Sequence, residues 1–325
     1  MVIRNTGQSK LFFIRIVVSL SLMAFLLYRS DTRILIHTLF SANILLFVLA
    51  IFLSWIIQGI DSIRMYFLLR ARKIVIPLWS TIKIMITGTF LGTFMPTSLG
   101  TEVFRAYGFS NYTTKSIEST SAVIINRFVG LISLTVIASM SAIWEHEYAV
   151  DVGLFWIILV ASMPLLLLFV GFSNKLTPIA DKMPHWIRDI LYRILNWIDK
   201  VIQSFIAFRA HKKVLVLVFI LSICFQVIRI YACYILTLAM GVRVPFSYFF
   251  IFTPLVLLMT MLPFSVAGIG MREGGVVFFL GKVGIQMTSA LSVSLLWFIA
   301  AIFSSLPGLL FYLSDGMHRK RESNK

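Results

Sequence analysis

The chain has 325 residues, of which 59% are hydrophobic and only 13% are charged, and its mean hydropathy is +0.94. This composition excludes a soluble globular protein and indicates a polytopic membrane protein. The net charge of +16 could suggest nucleic-acid binding, but the basic residues fall in a few segments between apolar runs, which is typical of cytoplasmic loops. The five histidines show no metal-ligand spacing, so we expect neither a metal nor another cofactor.

Six apolar runs are long enough to cross the membrane, which needs about 20 residues of helix. The first follows a basic N-terminus but has no small-residue cleavage site after it, so we expect a retained span and not a signal peptide. The predicted spans are Leu11–Tyr28, Ser41–Ile60, Ser119–Trp144, Val152–Phe172, Val214–Met240 and Ser289–Leu313.

Two further apolar runs, 81–95 and 249–262, are too short to span. Fifteen residues of helix rise about 22 Å, whereas the hydrocarbon core is about 30 Å thick. Each run ends at proline, glycine and charged residues, and such a break is tolerated at membrane depth only inside protein or beside a polar cavity. We therefore predict two re-entrant helical hairpins. Their tip residues are Pro96, Gly100 and Thr101 in the first, and Pro263, Ser265, Gly268 and Gly270 in the second.

The basic residues support this topology. If each short run returns to the side from which it entered, 21 Lys and Arg lie in the cytoplasm and five lie outside. If every run crosses, the basic segment 175–213 lies outside, against the rule. Within that segment, the apolar residues of 187–205 repeat at helical spacing, which is typical of a helix on the membrane surface. Both termini are then cytoplasmic.

The two halves of the chain then read alike but with opposite orientation. Residues 1–144 and residues 152–313 each contain span, span, hairpin and span. This is the layout of inverted-repeat transporters, whose binding site lies between the repeats. The predicted fold is a single all-α integral membrane domain over residues 1–325, with six transmembrane helices and two opposed re-entrant hairpins.

Four arginines are candidate site residues. Arg105 and Arg272 lie within about one turn of the start of each returning helix, and a helix N-terminus favours an anion such as phosphate. Arg127 and Arg229 lie deep inside spans, where ionisable residues are functional by default. Each arginine also has a structural interpretation. In these alternatives Arg105 or Arg127 pairs with Glu102, Arg229 pairs with Glu273, and Arg272-Glu273 is an anchor at the lipid headgroups. Gly88, Gly92, Gly130, Gly268 and Gly270 are more often helix-packing sites than ligand contacts.

Three motifs resemble those of a known family. They are Gly88…Phe94-x-Pro96…Gly100-Thr101-Glu102-x-x-Arg105, Asn126-Arg127-x-x-Gly130 and Leu262-Pro263-x-Ser265-x-x-Gly268-x-Gly270-x-Arg272-Glu273. Over essentially its whole length the chain resembles the flippase-like transmembrane family of lysylphosphatidylglycerol synthases. The resemblance implies a protein of the bacterial or archaeal inner membrane that moves an anionic or aminoacylated phospholipid, or a lipid-linked sugar, between leaflets. It also implies Glu102, Arg105, Arg127, Arg272 and Glu273 as site residues.

The chain departs from the family pattern at three positions. Thr101 replaces a glycine, and Glu102 and Asn126 each replace an aspartate. The lost carboxylate makes the site more positive, which disfavours a cationic headgroup. No soluble synthase domain follows Lys325, so we do not expect this chain to make lysyl-lipid itself.

Two other functions stay open at this point. One is a membrane-embedded lipid-phosphate or glycosyl transferase, for which only Glu102 or Glu273 qualifies as a base. The other is a non-catalytic subunit of a cell-envelope glycan assembly. The chain has no ATP motif, so movement would be facilitated or ion-coupled, and we expect no enzyme activity. The expected partner is a membrane lipid, and the candidate protein partners are a second copy of the chain or a cell-envelope synthesis protein.

Overall fold

The computed structural model describes residues 39–95, 100–113, 115–144, 208–261 and 268–323, and these residues form helices joined by short turns. The helices are α1 (Ile44–Ala71), α2 (Leu78–Thr93), α3 (Gly100–Ser110), α4 (Ser116–Trp144), α5 (Lys212–Ala239), α6 (Phe246–Met261), α7 (Met271–Lys282) and α8 (Met287–Ser323), with a 3₁₀ turn at Phe208–His211. The predicted spans at 11–28 and 152–172, the surface helix at 187–205, and the tip residues Pro96, Pro263 and Ser265 lie outside the described residues.

Four of the described helices are long and apolar enough to cross a membrane, namely α1, α4, α5 and α8. They cover four of the six predicted spans, which are thereby confirmed as helices of spanning length. One bound was wrong: α1 continues past Ile60 to Ala71. Arg64 is therefore part of the helix and is only 2% exposed.

The chain divides into two compact units. One contains the described residues up to Ser62, then Ile82–Arg105, and everything from Cys224 onward. The other contains Ile63–Thr81 and the described residues of Ala106–Ile223. Both hairpins fall largely in the first unit, together with most of the candidate charges.

The first hairpin consists of α2 and α3, which pack antiparallel through a groove of two glycines. A methyl group on Gly92 would lie 2.5 Å from the Thr101 Cα, and one on Gly88 would lie 2.6 Å from the Arg105 Cγ. Because the two glycines are four residues apart, they lie on the same face of α2. The expectation that they serve helix packing is confirmed.

The second hairpin consists of α6 and α7, also antiparallel. The Tyr248 hydroxyl donates to the Phe279 carbonyl at 2.8 Å near the open end of the hairpin. Toward the tip, Gly268 lies against Thr260, where a Cβ on the glycine would approach the Thr260 Cβ to 2.9 Å. Gly268 and Gly270 have φ angles of 78° and 85°, a conformation that side chains rarely adopt. The backbone of the turn therefore requires both glycines.

The first helix of each hairpin, α2 or α6, has 16 residues and rises about 24 Å, which is less than the hydrocarbon thickness. The returning helices α3 and α7 are shorter still. The structure thus contains two pairs of short helices where the hairpins were predicted. Their re-entry into the membrane, and their entry from opposite faces, stay predictions.

Helix α8 contacts α1 and the first hairpin beside its internal proline, Pro307. The Ser304 carbonyl accepts hydrogen bonds from Trp55 Nε1 at 3.1 Å and from Gln58 Nε2 at 3.0 Å, both on α1. A methyl group on Gly308 would lie 2.5 Å from a backbone oxygen of α2. Pro307 lacks the N–H that would pair with the Phe303 carbonyl, so the side chains of α1 bind α8 one residue after the carbonyl that the proline leaves unpaired within the helix.

We expect Gly92→Ala to prevent closure of the first hairpin, because the new methyl group would overlap the backbone of Thr101. Gly88→Ala should destabilise the protein less, since its closest contact is with a side-chain atom, the Arg105 Cγ at 2.6 Å, and the nearest backbone atom lies 3.3 Å away. Gly59→Ala is the matched control, because no atom lies within 4 Å of the added methyl group, and a Gly→Ala change inside a helix gains up to about 1 kcal/mol. Thermal unfolding in detergent should rank the variants in that order. Equal melting temperatures for Gly92→Ala and Gly59→Ala would contradict the packing.

Candidate functional site

Arg105 is held by α2 and α1. Its stem crosses α2 at Gly88, and its Nη2 donates to Thr89 Oγ1 at 2.9 Å while its Nε donates to the Met85 carbonyl at 3.4 Å. Nη2 also lies 2.9 Å from Asp61 Oδ2, and the two charged side chains are only 12% and 11% exposed. A buried cation is tolerated only when it is paired and hydrogen-bonded, and this arginine is both.

Asp61 is a functional candidate that the sequence interpretation missed. Because the second span was ended at Ile60, its neighbour was treated as lying beyond the membrane. The signal was present: Met65, Leu68 and Leu69 continue the apolar pattern at helical spacing, and all three are buried. An acidic residue inside a continued apolar helix predicts a buried partner.

Arg272 and Glu273 form an ion pair at the start of α7. Glu273 is fully buried, and its Oε1 accepts from the Arg272 Nε at 3.1 Å and from Nη2. Its Oε2 accepts from the backbone N–H of Gly270 at 2.6 Å. A glutamate three residues after the N-cap commonly satisfies that N–H. The N-terminus of α7 thus binds its own carboxylate, and Arg272 carries the positive charge at this tip.

Each of these two arginines keeps N–H donors that no described residue uses. In Arg272, the Nε/Nη2 edge faces Glu273, and the face of the guanidinium lies over the Phe298 ring at 4.7 Å. In Arg105, Nε and Nη2 are likewise engaged. In both, Nη1 has no hydrogen-bond acceptor within the described part of the chain. These donors can bind oxygen atoms of an anion.

Two more predicted site residues, Glu102 and Arg229, belong to the same compact unit as Arg105 and Arg272. Glu102 is half-buried in the first turn of α3, directly after Thr101, which packs on α2. Arg229 is half-buried within α5, and its guanidinium lies 5.2 Å from the Phe225 ring centre one turn earlier. Both remain predicted site residues.

Arg127 belongs to the other unit, where it is half-buried in α4. Its motif surrounds the buried Arg64: Nη2 of Arg64 donates to the Asn126 carbonyl at 2.7 Å. A methyl group on Gly130 would lie 3.4 Å from the same Nη2. The motif thus has a structural role in holding Arg64, and its part in ligand binding stays a prediction.

The model of the family described as Lysylphosphatidylglycerol synthase TM region matches residues 12–308. The chain belongs to this family. The resemblance drawn from the three motifs is confirmed, since all of them lie inside the matched range. As a lysylphosphatidylglycerol synthase TM protein with four described helices of spanning length, the chain is a multi-pass membrane protein with a lipid-related function. No curated protein compared with the chain matches it.

Removing one partner of the Asp61–Arg105 pair should cost about 3 kcal/mol or more, because it leaves an unbalanced buried charge. We expect Asp61→Asn and Arg105→Gln each to lower stability, and the double variant to lose less than the sum of the two. Arg243→Gln, which changes an exposed arginine of the same unit, should stay within about 0.5 kcal/mol of wild type. Reversible unfolding in detergent measures the cycle, and simple additivity would refute the coupling.

Proposed function

We propose that this protein translocates lipids whose headgroup carries a phosphate between the two leaflets. The cargo class is an anionic or aminoacylated phospholipid or a lipid-linked glycan, and the membrane is the bacterial or archaeal inner membrane. The proposal depends on one observation. In both hairpins, an arginine near the start of the returning helix is fixed by a carboxylate and retains N–H donors.

Phosphate fits these donors better than other anions of the membrane. Guanidinium groups bind phosphate oxygens with several short, charge-assisted hydrogen bonds. Such bonds are stronger in a low-dielectric site than in water. Because Asp61 and Glu273 already hold the two arginines, the donors are oriented before the headgroup arrives, and little side-chain freedom is lost on binding.

One contact favours translocation over the transferase alternative. Glu273, one of the two residues that qualified as a base, is fully buried and accepts hydrogen bonds from Gly270 and Arg272. A general base needs to reach the proton that it abstracts. Both oxygens of the Glu273 carboxylate already accept hydrogen bonds at the start of α7. That leaves Glu102 as the remaining candidate base of the sequence interpretation.

The two hairpins support an alternating arrangement. Their first helices have the same length, 16 residues, and their returning helices have 11 and 12 residues. We propose that they enter from opposite faces and that residues 1–144 and 152–313 are an inverted repeat. In transporters of this layout, the site alternates its access as one repeat rocks against the other.

Scrambling measured in proteoliposomes tests the function. With NBD-labelled phosphatidylglycerol in both leaflets, dithionite should quench more than half of the label when wild-type protein is present. We expect Arg105→Ala/Arg272→Ala to slow the exchange at least tenfold, since hydrogen bonds to charged groups contribute about 1.5–3 kcal/mol each. Arg243→Ala, an exposed arginine, is the control. An unchanged rate in the double variant would overturn the proposal, and chemically altered lipid in the vesicles would favour a transferase.

Site-directed labelling tests the topology. In a background with Cys224 and Cys233 replaced, a cysteine at Thr113, after the first hairpin, should react only from the cytoplasmic side. A cysteine at the exposed Gln286, after the second hairpin, should react only from outside. A membrane-impermeant maleimide on intact and permeabilised cells makes the measurement. External labelling at residue 113 would show that the first hairpin crosses the membrane.

A further inference from the structure

We infer that Phe298 is a positioning residue for Arg272 and that it reserves the Nη1/Nη2 edge of that arginine for a pair of phosphate oxygens. The inference rests on the proposed function and names the residue that would orient its phosphate contact. Phe298 belongs to no motif of the family resemblance, and it lies on α8, outside both hairpins.

The guanidinium of Arg272 has one face and two edges to consider. The Phe298 ring lies against the face at 4.7 Å from its centre, a distance at which a cation is attracted to the ring. Glu273 takes the Nε/Nη2 edge through one oxygen, Oε1. The ring and the carboxylate together fix the plane of the guanidinium, and the remaining edge carries the fork of donors that matches two oxygens of one phosphate.

Arg105 does not offer the same fork. Its Nη2 donates to Thr89 Oγ1 and lies 2.9 Å from Asp61 Oδ2, so this nitrogen already faces two partners. The donors that remain are those of Nη1, so this arginine can contact an anion through one nitrogen. The two hairpins are therefore unequal, and Arg272 is the bidentate anchor.

Phe298 is itself held in place by its neighbour along α8. The Trp297 ring stacks on Phe252 of α6, with ring centres 6.0 Å apart and an interplanar angle of 17°. Trp297 is 7% exposed and Phe252 is fully buried. This packing ties α8 to the second hairpin at the level where Phe298 meets Arg272.

Equilibrium binding of dioctanoyl phosphatidylglycerol to the full-length chain in detergent tests the inference. We expect Phe298→Leu, which keeps an apolar side chain but removes the ring, to weaken binding about three- to thirtyfold. Phe298→Tyr, which keeps the ring, should bind with the affinity of the wild-type protein. Phe278→Leu is the matched control, because it removes the ring near Lys282 at the far end of α7, and it should leave binding unchanged.

A double-variant cycle separates positioning from a general packing effect. In the Arg272→Lys background, which lacks the fork, Phe298→Leu should add no further loss of affinity, and the melting temperature should stay equal across the series. If Phe298→Leu lowers the melting temperature, Phe298→Met provides the same comparison with a longer side chain. Weaker binding for Arg272→Ala but not for Phe298→Leu or Phe298→Met overturns this inference alone. Unchanged binding for both Arg272→Ala and Arg105→Ala overturns the proposed phosphate site.

Discussion

The structure depends on a constraint of the membrane interior, which offers no water to satisfy broken backbone. A helix that stops halfway must therefore close against protein. In the first hairpin, Gly88 and Gly92 let α3 approach α2 so closely that an added methyl group would overlap Thr101 or the Arg105 stem. The same absence of side chains gives Arg105 a path across α2. The close packing of α3 on α2 thus also places the charged Arg105 side chain across α2.

The two arginine–carboxylate pairs are built differently. Arg272 pairs with the next residue in the chain, so this contact forms as soon as the turn of the second hairpin forms. Arg105 pairs with Asp61, which lies on another helix. The Arg105–Asp61 pair therefore also fastens α3 to α1. Helix α8 adds a further link, because Phe298 contacts Arg272 while Ser304 accepts hydrogen bonds from α1.

The architecture could be predicted from sequence because bilayer thickness fixes helix length. Runs of about 15 residues ending in proline and glycine are too short to span, and the structure forms each as a 16-residue helix followed by a shorter one, whereas the pairing of Arg272 with Glu273 was not predicted. Asp61 was missed because a charge was taken as the end of a span, although the apolar pattern continues to Leu69. Phe298 could not have been found, since nothing distinguishes it among 29 phenylalanines until a guanidinium lies over its ring.

The pairing of each arginine with its own carboxylate has an electrical consequence. Arg105 with Asp61 and Arg272 with Glu273 are both neutral units before any cargo binds. Under the proposed function, a headgroup whose phosphate is its only charge would therefore cross as a net anion, and about 2.3 kcal/mol per 100 mV of membrane potential would act on its movement. A headgroup that also carries one amine would cross without moving net charge. Under the proposed function, these two pairs add no net charge to the cargo, so the voltage dependence of transport would be set by the headgroup, by any ion that travels with it and by the other charged residues of the site.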